Sequence, residues 1–202
     1  FLFFAWPTQM SGDKVWVSTE SYFGLGCQLP DTFTCATPLG EAAANLTVNA
    51  SPAEMMCGLI PGSIGETSVY AIALGALILL FTRIASWRTM LSVFVGGALV
   101  ALLFDNCGAA DNAVAHLGLN HLWLGGFCFG AVFMATDPVT SCRTECGKYI
   151  YGFLIGALAI TIRVLNPGYP EGMMLAILFM NMFAPLIDYC FVQRNINRRA
   201  NR

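Results

Sequence analysis

The chain has 202 residues, 56% of them hydrophobic and only 11% charged, with a formal net charge of −2 and a mean hydropathy of +0.64. Soluble domains carry about 25% charged residues, so this composition excludes a solvated globule and makes lipid or other apolar protein the expected surroundings. The net charge by itself says nothing about nucleic acid, and no basic stripe points to it as a partner.

In chain order, Phe1-Leu2-Phe3-Phe4-Ala5-Trp6-Pro7 reads as the closing turns of an apolar helix, assigned to residues 1–10. No basic n-region or cleavage site marks it as a signal peptide, and the sequence is expected to be the later part of a longer polypeptide. Residues 11–66 form a loop region whose only basic residue is Lys14. It contains Asp31-Thr32-Phe33-Thr34-Cys35-Ala36-Thr37 and closes on Gly62-Ser63-Ile64-Gly65-Glu66-Thr67-Ser68. Ser63 and Glu66 have the S-x-x-E spacing of a capping box ahead of an apolar run, which predicts a helix start. Free N–H groups at such a start attract anions, and Gly62 and Gly65 would let a ligand approach closely. Gly62, Ser63, Gly65, Glu66 and Thr67 are therefore candidate cofactor contacts.

Five apolar runs follow, at 67–82, 89–104, 122–136, 149–162 and 172–187. Each is roughly 14–16 residues, about 21–24 Å as helix, against a hydrocarbon core of about 30 Å. Snorkelling basic residues or packing inside a complex would make up the difference. The predicted fold is an all-α polytopic membrane protein, with about five transmembrane helices across 67–193 and a basic tail at 194–202.

Basic residues set the expected orientation. Arg83 and Arg88 occupy the first inter-helix loop, Arg143 and Lys148 the third, and Arg194, Arg198, Arg199 and Arg202 the tail. The loops at 105–121 and 165–171 have none, and Arg163 beside the latter is the one exception. This predicts a cytoplasmic C-terminus, with 15–66 and therefore Thr37 on the outer, periplasmic face. Gly126 with Gly130, and Gly152 with Gly156, have small-xxx-small spacing and predict closely packed helices.

Asp137, in Met134-Ala135-Thr136-Asp137-Pro138-Val139, ends the third run, where Pro138 stops a helix ladder. Asp188 follows Pro185-Leu186-Ile187 near the inner end of the last run, where a carboxylate needs a partner, water or an interface. Both are weak candidates for a Na⁺ path, oxygen being the ligand that hard cations take. Cys142 and Cys146 share a loop, but His116 and His121 belong to the opposite face, so no four-ligand metal site assembles from them. The sequon matches at Asn45 and Asn49 read as chance. No Walker loop, dinucleotide fingerprint or nucleophile–base set is present, so redox or transfer chemistry would need a bound cofactor.

Several blocks together carry a family resemblance. They include Ser11-Gly12-Asp13, residues 62–68, Ala85-Ser86-Trp87-Arg88, Gly125-Gly126-Phe127, residues 134–139, Asn166-Pro167, residues 170–178, Ala184-Pro185-Leu186-Ile187-Asp188 and Gln193-Arg194-Asn195-Ile196. In order, across nearly the whole chain, they resemble the B subunits of bacterial Na⁺-translocating NADH:quinone oxidoreductases. The D subunits of the related Rnf complexes are similar chiefly at the T-D-P-V and A-P-L-I-D blocks.

The resemblance implies more than the residues do alone. In that family a flavin transferase recognises D-x-x-[ST]-[GS]-A-T and joins FMN to the final Thr through a phosphoester. Asp31, Thr34, Ala36 and Thr37 fit, while Cys35 departs from the usual Gly or Ser. The implied fold is two related five-helix halves, of which this chain would be the second, preceded by the flavin loop. Implied partners are the other subunits of a six-subunit complex, ubiquinone, Na⁺, membrane lipid and the flavin transferase, in a bacterial inner membrane. Riboflavin, the quinone contacts and iron centres would lie elsewhere in the full assembly. The alternative readings are an Rnf-type subunit working with ferredoxin, and a non-redox channel or scaffold of the same fold.

Overall fold

The computed structural model describes residues 5–6, 15–16, 34–35, 37–43, 51–58, 60, 62–63, 65–107, 113–166 and 171–200. Asp31 and Ala36 of the flavin motif, and most of the expected outer loop, lie outside the described residues.

Two-residue strands β1 (Val15–Trp16) and β2 (Thr34–Cys35) pair antiparallel, with Val15 opposite Cys35 and Trp16 opposite Thr34. Two short helices follow, α1 (Pro38–Ala43) and α2 (Pro52–Cys57). The helix α2 carries a complete capping box: Ser51 Oγ accepts from Glu54 N–H at 3.3 Å, and Glu54 accepts from Ser51 N–H at 2.8 Å. The same spacing at Ser63 and Glu66 does not begin a helix. Glu66 Oε1 accepts from Ser63 N–H at 2.9 Å, closing an isolated turn, and the next helix starts beyond it. There Ser68 caps α3 (Val69–Phe81), accepting from Ala71 N–H at 3.4 Å. Gly65 in the intervening turn stands at φ 90°, a conformation that ends rather than propagates helix.

The membrane-length helices are α4 (Trp87–Cys107), α6 (Glu145–Leu165) and α7 (Met173–Ala200), with 21, 21 and 28 residues. They outrun the apolar runs because single charged residues inside them are faced inward or placed at the ends. Helix α7 continues through Arg194, Arg198 and Arg199, so the expected tail is helical to Ala200.

The third run is not one helix. A 3-10 helix, Ala115–Leu122, is separated by a turn from α5 (Phe127–Phe129), which passes into a π-helical turn, Gly130–Met134. The two pieces are bent by 45° and qualify together as a broken span or re-entrant loop. The break falls at Leu124-Gly125-Gly126, with Gly125 at φ 60°; two adjacent glycines remove the side-chain contacts that would hold the helix straight. Among the described residues, three long helices and one bent pair, with α3 too short at 13 residues to cross unaided, make up a polytopic helical membrane fold.

Helices α4 and α6 form the centre of the bundle. A Cβ on Gly152 would collide with Ser92 Oγ, and one on Gly156 with the Val93 carbonyl oxygen. The small-xxx-small reading therefore holds for this pair, whose backbones approach too closely for any side chain. The pair Gly126 and Gly130 behaves differently: Gly130 faces Met173 of α7, but Gly126 faces the Glu66 carboxylate. Tyr151, Ile155, Ala159, Val93, Phe127, Ala131 and Ala176 form the buried centre.

Candidate functional site

Thr37 is the N-cap of α1. Its Oγ1 accepts from Gly40 N–H at 3.1 Å, and its carbonyl accepts from Glu41 N–H at 2.9 Å. Pro38 at the first helical position costs the helix no hydrogen bond, which makes Thr-Pro a strong local start signal. Two apolar residues of this short helix, Leu39 and Ala42, are fully buried, and Thr37 itself is only 5% exposed.

A small pocket around Thr37 is lined by Leu39, Ile60, Gly62, Glu66, Thr67 and Gly125. Four residues named from the sequence, Thr37, Gly62, Glu66 and Thr67, thus meet in one place although 30 positions separate the ends of the set. Ser63 contributes by holding the Glu66 carboxylate, and Gly65 turns the chain between them. Thr34 lies on β2.

Gly125 joins this pocket to a group that sequence patterns missed. A Cβ there would lie 3.1 Å from Arg163 Nη2 and 3.3 Å from Leu39 Cδ2. Arg163 is fully buried. Its Nη1 donates to the His121 carbonyl at 2.7 Å, and its guanidinium carbon lies 5.7 Å from the Phe127 ring centre. Nε and Nη2 are buried and without hydrogen-bond partners among the described residues. These two N–H groups share the side-on edge of the guanidinium, the edge that binds carboxylate or phosphate in bidentate fashion. Glu171 and then Glu66 exert the strongest opposing charge, but neither forms an ion pair with Arg163. Burial, then the neighbouring Glu66 charge, push the Glu171 carboxyl above its usual range, against the pull of Arg163. The exception to the charge pattern is thereby explained: Arg163 is folded inward and is not a loop charge. A lone Arg directly after the 149–162 run, beside a loop with no other basic residue, was the available signal, since ionisable residues in membrane segments are functional candidates by default.

The two aspartates lie apart from this cluster. Asp188 accepts from Arg143 N–H at 2.8 Å, Thr144 N–H at 3.0 Å and Thr144 Oγ1 at 2.6 Å. It supplies from α7 the N-terminal cap of α6, an end that attracts negative charge. Asp137 accepts from Thr140 Oγ1 at 2.7 Å, Thr140 N–H at 3.2 Å and Val139 N–H at 3.3 Å. The Thr140 hydroxyl and the Val139 amide hold its carboxyl below the usual range. Among the described residues no cluster of three His, Cys, Asp or Glu side chains could hold a metal ion. Helix α6 links the two regions: Thr144 and Arg163 are 19 residues apart, roughly 28 Å along a helix.

Residues 1–197 match the NQR2, RnfD, RnfE family. Over the whole chain, the sequence is 52% identical to the B subunit of the Na(+)-translocating NADH-quinone reductase of Chromohalobacter salexigens. It is 48% identical to the protein of that name from Klebsiella pneumoniae and 47% identical to that from Pseudomonas aeruginosa. The match covers 48–49% of those relatives, so the chain spans about half their length.

Proposed function

The chain belongs to the NQR2, RnfD, RnfE family, and on that premise we propose that it carries the FMN-bearing half of the B subunit of a Na⁺-pumping NADH:quinone oxidoreductase. Thr37 is the proposed attachment point, through a phosphoester on Oγ1, with electrons passing onward to ubiquinone in the bacterial inner membrane. The observation that carries this reading is that Thr37 and the buried Nε–Nη2 edge of Arg163, without hydrogen-bond partners among the described residues, both lie against Gly125.

The residues present fit a phosphoester. An ester oxygen at Thr37 keeps its lone pairs, so the Gly40 N–H can still donate to it. The Nε and Nη2 edge of Arg163 is the cationic group for a phosphate oxyanion in water-poor surroundings. Gly125 leaves room where any side chain would press on Nη2. The ring system itself exceeds this pocket and belongs outside it. FMN held there would supply one-electron transfer, with the protein setting position and potential.

Moving Na⁺ against 100 mV costs about 2.3 kcal/mol, so electron transfer has to be coupled to an ion site. Asp188 and Asp137 remain the candidates for it, and in each the carboxylate already serves backbone donors. An ion binding Asp188 would compete with the cap of α6. The C-terminus is proposed to be cytoplasmic and Thr37 periplasmic.

Mass spectrometry of the Thr37 peptide, from the full complex matured with its flavin transferase, tests the central point. An FMN-sized adduct on Thr37 is expected. Its absence from active, fully matured complex ends the assignment.

A further inference from the structure

At the opposite end of α4 from the bend, a cavity of about 760 Å³ opens between the α3–α4 loop and the start of α6. Its polar wall is Arg83, Ser86, Arg88, Lys148 and Glu145, with Trp87 beside them. Three cations thus face one carboxylate. Glu145 is shared, pairing with Arg88 and with Lys148 Nζ at 2.9 Å. Arg83 is held at φ 57° in an exposed turn, an unusual conformation for a residue with a side chain. Arg88 lies 5.6 Å over the Trp87 ring, and its Nε is buried without a hydrogen-bond partner among the described residues. Trp with Arg and Lys at helix ends is the chemistry of a membrane–water interface.

A second observation continues the first. One turn deeper, the same face of α4, with a neighbouring face of α6, forms a groove of about 380 Å³ lined by Leu91, Val95, Tyr149, Ile150, Phe153 and Leu154. Ser92 also lines it, but its hydroxyl is spent on the carbonyls of Thr89 and Lys148. Leu91 and Val95 stand one and two turns beyond Trp87, and Tyr149 directly follows Lys148. On α4 the cavity and the groove thus follow one another along a single face, through positions 88, 91 and 95, about 10 Å from the first to the last.

We propose that this paired cavity and groove binds one anionic phospholipid, its phosphate headgroup among Arg83, Arg88 and Lys148 and an acyl chain along the α4–α6 groove. Charge decides the headgroup class: a zwitterionic lipid would present its own cation to a site already in cationic excess, whereas a net anion is attracted by each basic residue near the surface. The apolar groove separates a lipid from free phosphate, which could use only the cavity. A protein segment covering the same faces would need acidic and apolar residues in register, and the test detects it.

The test uses the full complex, delipidated in mild detergent, with native mass spectrometry and titration of phosphatidylglycerol, phosphatidylcholine and inorganic phosphate. Wild type is expected to retain phosphatidylglycerol preferentially. Arg83→Gln with Lys148→Gln should weaken phosphatidylglycerol roughly tenfold or more and leave phosphatidylcholine unchanged. Ile150→Trp, which fills the groove, should weaken both lipids without altering charge. Arg83→Gln alone, at an exposed turn, carries the test should the double variant fail to assemble. The proposal is overturned by equal retention of phosphatidylglycerol in wild type and the charge variant. Displacement by inorganic phosphate at matching affinity also overturns it, as does a photo-crosslinker at Leu91 that captures polypeptide and no lipid.

Discussion

Thr37 and Arg163 show how differently two residues can announce themselves. Thr37 is singled out by a short-range motif through the family resemblance, and its place as the N-cap of α1 follows from the equally local Thr-Pro pair. Arg163 acts through residues 38 positions and more away, among them Gly125 and His121, which no spacing rule connects. Thr37→Ala removes both the esterifiable hydroxyl and the cap, at about 0.5–2 kcal/mol for the cap alone. Loss of the FMN adduct is expected, read by in-gel flavin fluorescence, while Thr37→Ser keeps the cap and a hydroxyl. Arg163→Met has a separate signature. If the guanidinium pairs with the phosphoester, flavinylation raises the melting temperature of wild type, and that gain should fall by more than half in the variant. Glu171 gives a pH dependence of definite sign. Its folded pKa is raised above 4.5, so its contribution to stability is fully present below that value and is lost as pH rises through the folded pKa. Glu171→Gln should melt increasingly above wild type as pH climbs from about 5 to 8; a constant difference across that range would argue against a buried, charge-opposed carboxyl.

At the scale of elements, the apolar runs located all five segments but misjudged three of their properties. Runs stop at charged residues and helices do not: α7 passes Asp188 because that carboxylate caps α6, and Pro185 within it costs one ladder bond without ending the helix. Hydropathy cannot see the break at Gly125 and Gly126, since glycine is not polar. The S-x-x-E pattern is degenerate: Ser51 and Glu54 form the box, whereas Ser63 and Glu66 form a turn, and the residues between decide it, Pro52 at the first helical position in one and Gly65 at positive φ in the other. Glycine spacing was the better guide where it predicted contact between α4 and α6. Gly156→Leu sets a side chain against the Val93 carbonyl, and backbone cannot yield as a flexible side chain would. A loss of more than the usual 1–3 kcal/mol of overpacking is expected, seen in fluorescence-detected size exclusion as reduced recovery of folded protein. Gly126→Ala is milder on packing but approaches Glu66 Oε2 at 3.1 Å, so it should disturb the Thr37 pocket before it disturbs the bundle.

Across the whole molecule, the distribution of apolar surface is the dominant fact. In α3 only Ile72 is buried, and Leu74, Leu77, Ile78 and Phe81 are exposed. The outer face of α7, through Leu178, Met182, Leu186 and Tyr189, is exposed too. Such faces suit lipid or neighbouring membrane helices, and the chain spans about half the length of its relatives. Composition forecast this class because an 11% charged chain cannot coat itself; it could not say which faces meet lipid and which meet protein, a matter of helix rotation.

Helix α6 has a mechanical consequence. It is uninterrupted over 21 residues, with Arg163 beside the Thr37 pocket at one end and the Asp188-capped turn at the other. A stiff rod gripped at both ends transmits tilt and axial shift with little loss, as a lever does. Rearrangement around Arg163 on one side of the bilayer would therefore register as strain on three hydrogen bonds at Asp188 on the other, with no intervening chain of side chains required.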